Sequence, residues 1–126
     1  MTLAAWAAMD EDDDQRGELV DGRLVEEEDV GAEHDIVTAW LIRLLADWLD
    51  ARGGFVGSSD TRFGVSTTRG RKPDTYAYFP GRKPPRRGLV TLPPDIMIEV
   101  VSPTPRDARR DRIEKMREYA AYVPRF

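Results

Sequence analysis

The sequence predicts an α/β domain in which helices pack on a sheet. Three observations carry this. Asp21-Gly22 stands between two alternating runs, apolar residues recur at helical spacing from Ala32 to Arg52, and two strand-like runs lie at Lys72–Phe79 and Asp95–Val101. A chain of 126 residues makes one domain, burying roughly two-thirds of its unfolded surface.

The elements follow in order. Residues 1–16 end in Asp10-Glu11-Asp12-Asp13-Asp14-Gln15-Arg16, a like-charge block expected to remain a mobile acidic segment ahead of a single domain at 17–126. It lacks the glycine and closing glutamate of a calcium loop. The apolar start, Met1 to Met9, has no basic lead, so a signal peptide is not expected. Gly17 to Glu26 reads as a hairpin, because Asp-Gly is the preferred pair where both turn residues take positive φ. From Ala32, the positions Ile36, Val37, Trp40, Leu41, Leu44, Leu45 and Trp48 form one apolar helix face that should pack on the sheet, with Gly53-Gly54 as its stop. Weaker strands are predicted at 55–59 and 63–66. The Thr67-Thr68-Arg69-Gly70 cluster reads as a turn. Pro80 to Gly88 is too rich in proline and glycine to continue a strand and should be a mobile basic loop. After Ser102-Pro103-Thr104-Pro105, Asp107 to Tyr122 reads as a helix with Ile113, Met116, Tyr119, Ala120 and Val123 inward.

Composition narrows the classes. There is no cysteine, which removes disulfides, thiolate zinc sites and thiol nucleophiles together. No apolar run approaches a membrane span, so no membrane partner is expected and the cytoplasm is the default location. The net charge of −4 conceals an asymmetry. Before Arg62 stand four Lys and Arg against sixteen Asp and Glu, and from Arg62 onward fifteen against seven. Bases including Arg71, Lys72, Arg106 and Arg109 flank the two carboxylate runs, as a phosphate-binding surface for DNA around an acidic metal site requires. The bland alternative is a solvated basic face.

Asp74 and Glu99 carry the chemistry. An acid among β-branched and aromatic residues is expensive to bury unless a proton, a cation or hydrogen bonds compensate it. On neighbouring strands their oxygens converge as the hard ligands that magnesium accepts, which points to a metal-dependent nuclease. Asp74 could instead bond the local backbone after Pro73. Lys115 shares a helix face with Asp111 and Tyr119 and could orient water or stabilise developing charge, or simply pair with Asp111. Glu18, beside the hairpin turn, is a third acid for the site or an exposed strand residue. His34, the only histidine, is a base, a phosphate contact or a helix-start residue with a structural role. Tyr119 reads as core more than as catalyst.

The ordered set Glu18-Leu19-Val20-Asp21-Gly22, His34, Arg71-Lys72-Pro73-Asp74, Pro94 to Pro103 and Asp111…Lys115…Tyr119 resembles the Uma family of restriction-endonuclease-like proteins, within the PD-(D/E)XK nuclease superfamily, from Glu18 onward. The resemblance implies a restriction-endonuclease-like core with a mixed central sheet flanked by helices. Asp74 and Glu99 would then be ligands of magnesium, or of manganese, with Glu18 completing the acidic set and the Val101 carbonyl as a further ligand. The superfamily lysine two residues beyond the glutamate is Val101 here, and Lys115 from the next helix takes its place. Similar proteins continue through a Gly-Val-Pro-Glu-Tyr-Trp-like turn into further strands, whereas this sequence reaches Tyr122-Val123-Pro124-Arg125-Phe126. An open sheet edge is therefore expected, either covered by another subunit in a homodimer or left by a shortened form of the chain. The activity implied is magnesium-dependent hydrolysis of DNA phosphodiesters. The rivals are an inactive, shortened module that binds DNA or oligomerises, and a dimer that pairs the acidic half with the basic half.

Overall fold

A computed structural model describes residues 1–10, 17–26, 31–101 and 106–124, with the backbone alone for 26 and 106–111. Helix α1 spans Leu3–Ala7, strands β1 and β2 Gly17–Val20 and Arg23–Glu26, and helix α2 Ala32–Asp50. Strands β3 to β7 follow at Phe55–Gly57, Phe63–Gly64, Arg69–Arg71, Thr75–Tyr78 and Ile96–Ile98, and helix α3 spans Arg106–Tyr122. Helices and strands both form in one α/β chain, as expected. The strands form two antiparallel sheets, ordered β2-β1-β5-β4 and β3-β6-β7, in place of one central mixed sheet. A single parallel bridge, Phe63 with Val90, is described outside these ladders.

The hairpin forms as its turn dictates. Asp21 and Gly22 take φ of 49° and 82°, the paired positive values of a two-residue turn whose twist matches the strands. That turn fixes Val20 opposite Arg23 and Glu18 opposite Val25. Strand β5 falls inside the cluster that the sequence predicts as a turn. Its Gly70 is needed because Trp6 lies over it, and a Cβ there would come within 2.3 Å of the indole.

Helix α1 has no counterpart in the sequence expectation, since five residues are too few to show periodicity. Thr2 caps it by accepting from Ala5 N at 3.1 Å. Arg62 Nη1 donates to the carbonyls of Trp6, Ala7 and Met9 at 2.8–2.9 Å, satisfying its open C-terminal end. Trp6 is buried, and its Nε1 donates to Gly17 O at 2.9 Å. Trp6→Ala should therefore cost about 3–5 kcal/mol, read as a lowered urea midpoint. The acidic run 11–16 lies outside the described residues.

The core joins Phe63, Tyr76, Tyr78 and Val90, with Val65, Leu92, Met97 and Tyr122 against it. Both long helices depart in part from their expected faces: in α3, Tyr119 is buried and Val123 half-buried as expected, while Ala120 is exposed. In α2, Leu49 is buried and Leu41 and Leu45 half-buried, but Ile36, Val37, Trp40, Leu44 and Trp48 are exposed. In α3, Ile113 and Met116 face solvent while Lys115, Glu118, Tyr119 and Tyr122 face inward. The inner face of α3 is polar because it meets charged partners, and apolar periodicity could not reveal that. No helix among the described residues is long and apolar enough to cross a membrane.

Candidate active site

The ladder between β6 and β7 brings the two acids together. Thr75 pairs with Ile98, Tyr76 with Met97 and Ala77 with Ile96. One step further in that register, Asp74 stands opposite Glu99. Directly opposed residues of an antiparallel pair share a face, with Cβ atoms about 4.5–5.5 Å apart. The junction is fastened by Asp74 N donating to Ile98 O at 3.1 Å and Val100 N donating to Asp74 Oδ2 at 2.6 Å.

Other elements bring further side chains to this face. The first turn of α2 places the largely buried His34 with Nε2 3.2 Å from Asp74 Oδ2. Its Nδ1 is buried without a hydrogen bond, 3.7 Å from Asp35 Oδ1. From α3, Tyr119 OH donates to Glu99 Oε1 at 2.6 Å, and Lys115 Nζ lies 3.8 Å from the same oxygen. Lys115 Nζ also lies 2.6 Å from Glu18 Oε1 on β1. Glu18 Oε2 accepts from Lys72 N at 2.6 Å, and Arg71 Nη1 is 3.6 Å from Glu18 Oε1. A continuous charged line thus runs from Asp74 through Glu99, Lys115 and Glu18 to Arg71.

Burial dominates the electrostatics. It pushes the Glu99 carboxyl up to about 8; the Lys115 charge and the Tyr119 hydroxyl pull the other way, while Asp74 and Glu18 raise it further. Glu18 is raised as well, by burial first, against Lys115, the Lys72 N–H and Arg71. Tyr119 is held well above an ordinary phenol, by burial and then by the neighbouring Glu99 and Glu18. Two buried acids that resist ionisation beside one lysine mark a site short of positive charge.

A second cluster holds α3 in place. Glu118 accepts from Arg71 Nε at 2.6 Å and Nη2 at 3.0 Å, and from Arg69 Nη1. Arg69 in turn binds Asp21 Oδ2 at 2.9 Å through Nη2. This clamp sets Lys115 and Tyr119, three residues before and one after Glu118, over the acids. Glu118 was invisible as a site residue because nothing in the helix itself signals its arginine partners, which lie 47 and 49 residues away.

Burial pushes the Glu118 carboxyl up, but Arg71 and Arg69 outweigh it and hold the group below its ordinary value of 4.5. A carboxyl lowered in the folded state contributes stability above its unfolded value and loses it as pH falls through the folded one. Acid unfolding followed by tryptophan fluorescence should therefore show a stability loss below about pH 4.5 that is shallower in Glu118→Gln, which starts less stable at neutral pH. Parallel acid limbs in the two proteins would contradict the clamp.

The remaining expected site residues divide. Arg71 is fully buried and held by Glu118 and Glu18, so it is a structural arginine and not a surface phosphate contact. Lys72 is half-buried, with its N–H on Glu18. Val101 is exposed, and the neighbouring Val100 N–H is what reaches Asp74. Arg106 and Arg109 begin α3, but their side chains, like that of Asp111, lie outside the described residues. Part of the basic excess is internal: Arg62 binds the end of α1, Arg69 and Arg71 the clamp, and Arg82 the buried Asp95 at 2.9 Å. Arg86 and Arg87 remain exposed, lining with Arg62 and Tyr76 a cavity of about 590 Å³.

Among the described residues, no group of three or more His, Cys, Asp or Glu side chains is arranged to hold a metal ion. The two carboxylates that the β6–β7 register opposes are Asp74 and Glu99. Two carboxylates suit magnesium, which keeps several waters and completes its shell with substrate phosphate. Glu99, raised by burial, is the group whose charge a cation would compensate.

Comparison with known proteins decides the family. A family model described as "Uma2: Putative restriction endonuclease" matches residues 3–124. The chain belongs to the Uma2 family. Among solved structures, this Uma2 chain resembles the crystal structure of a putative nuclease belonging to DUF820 from Anabaena variabilis, with a TM-score of 0.68 at 17% identity. The match covers 91% of this chain and 66% of the other, so the chain spans slightly under two-thirds of that protein. At this identity the likeness shows a shared fold. No curated protein matches the sequence.

Proposed function

We propose that this Uma2 protein is an endonuclease that hydrolyses DNA phosphodiesters with magnesium or manganese held by Asp74 and Glu99. The observation that carries the reading is the register of β6 and β7, which sets these acids opposite one another with Glu99 raised to about 8. A bound divalent ion would supply Lewis-acid polarisation of the phosphate and a more acidic water. The chain's own residues do the rest. Val100 N–H and His34 fix one Asp74 oxygen, and Tyr119 fixes one Glu99 oxygen. Lys115 supplies a positive charge at the edge of the pair, where it can stabilise negative charge developing on phosphate. Glu18 acts as the counter-ion that positions Lys115, in preference to serving as a third ligand. Arg86 and Arg87, open on the surface, are cations that further phosphates could meet. The reading also keeps a cytoplasmic location and a homodimer.

The test is nicking of supercoiled plasmid and cleavage of single-stranded DNA with magnesium or manganese. Product should form with wild type and vanish with EDTA, with Asp74→Ala and with Lys115→Ala. Cleavage that persists in Asp74→Ala would refute the assignment, and salt-sensitive DNA binding without cleavage would favour an inactive module.

A further inference from the structure

Helix α2 carries two apolar stripes and the described molecule covers one of them. Thr38, Leu41, Leu45 and Leu49 turn toward the sheet. The other stripe, Ile36, Trp40, Leu44 and Trp48, is 68, 60, 47 and 46% exposed. These residues follow one another at four-residue steps and form one continuous ridge, the surface by which helices interlock. A helix apolar on both sides belongs in an interior, and a monomer seldom shows water an apolar patch containing two tryptophans. Trp48 is already oriented, with Phe79 at 5.6 Å edge-on and the Arg52 guanidinium 4.4 Å over its ring.

We propose that this ridge is the seat of a second copy of the chain, with the two α2 helices packed antiparallel about a two-fold axis near Leu44. Charge selects this occupant. Arg43 and Asp47 flank the ridge on one side, one turn apart. Reversing a copy about Leu44 brings Arg43 toward the partner's Asp47 and Asp47 toward the partner's Arg43, so one pair of residues forms two complementary contacts. The ends match as well. The first turn carries Glu33 and Asp35, the last turn carries no base, and Arg52 stands just beyond the helix. Antiparallel pairing places the acidic start of each helix beside the partner's Arg52 and sets the helix dipoles in opposition. This surface differs from the sheet edge at β7, whose three residues offer little for strand pairing. It does not depend on the nuclease reading.

Sedimentation equilibrium of the full chain through the micromolar range tests it. The wild type should have the mass of two chains, and Leu44→Glu, which sets like charges at the axis, should weaken association at least tenfold with unchanged helical circular dichroism. Arg43→Asp and Asp47→Arg should each weaken the dimer and restore it when combined. That cycle stands even if Leu44→Glu fails to fold. Met116→Glu, an exposed apolar position on α3, should leave the mass unchanged. A wild type of one-chain mass throughout, or a dimer indifferent to the two charge reversals, would overturn the proposal.

Discussion

Glu99→Gln should abolish metal-dependent cleavage while leaving the folded chain at least as stable as the wild type. The two effects separate because the carboxyl is poorly matched to the apo protein. Burial raises it to about 8, against an ordinary value of 4.5, so near neutrality the metal-free side chain is largely protonated and glutamine reproduces its shape and polarity. The sign follows from linkage. A carboxyl raised in the folded state binds its proton more tightly there, so the contribution of Glu99 to stability is complete below about pH 4.5 and is lost as pH climbs toward about 8. Glu99→Gln should lack that loss and show the higher Tm at alkaline pH. Cleavage should fall by roughly three orders of magnitude, since a metal supplies several kcal/mol of charge stabilisation and about 1.4 kcal/mol is a factor of ten. Such a trade of stability for activity is the mark of a functional acid. A variant that is destabilised and still active would identify Glu99 as a structural residue.

The largest stability effect should come from Arg71→Met. Arg71 is fully buried and holds Glu118 through two hydrogen bonds, with Glu18 3.6 Å away. Removing the buried guanidinium takes two hydrogen bonds from Glu118, leaving it Arg69 alone, and breaking a buried charged network costs about 3–5 kcal/mol. Urea unfolding should register that loss as a lower midpoint with an unchanged slope. Combining Arg71→Met with Glu118→Leu should recover a substantial part, because the underpaired carboxylate is then gone. If Arg71 instead served as a surface phosphate contact, its removal would weaken DNA binding and leave the midpoint unchanged.

How far the sequence reveals this molecule depends on the range of the signal. The Asp21-Gly22 turn and the extent of α2 are written locally, in a preferred turn pair and a long periodic run, and both stand where the sequence places them. So do the runs bearing Asp74 and Glu99, and the register that opposes these acids follows from antiparallel pairing. The failures share one cause, partners distant in sequence. Strand β5 looks like a turn because Arg69-Gly70-Arg71 owes its strand conformation to β1, β4 and the overlying Trp6. The inner face of α3 is misjudged at Ile113, Met116 and Ala120, because Glu18, Arg71 and Glu99 choose that face, and apolar spacing is right only where it includes Tyr119 and Val123. Arg71 reads as a DNA contact for the same reason: an arginine beside an acidic strand looks external until Glu118 supplies its internal partner.

The central claim is that Asp74 and Glu99 form one divalent-cation site. Calorimetric titration of the metal-free protein with manganese or magnesium tests it most directly, with Asp74→Asn and Glu99→Gln measured alongside. The wild type should bind the ion and gain Tm as metal concentration rises, and each variant should lose both. Binding of equal strength in wild type and both variants, or cleavage by a wild type that takes up no metal, would contradict the shared site.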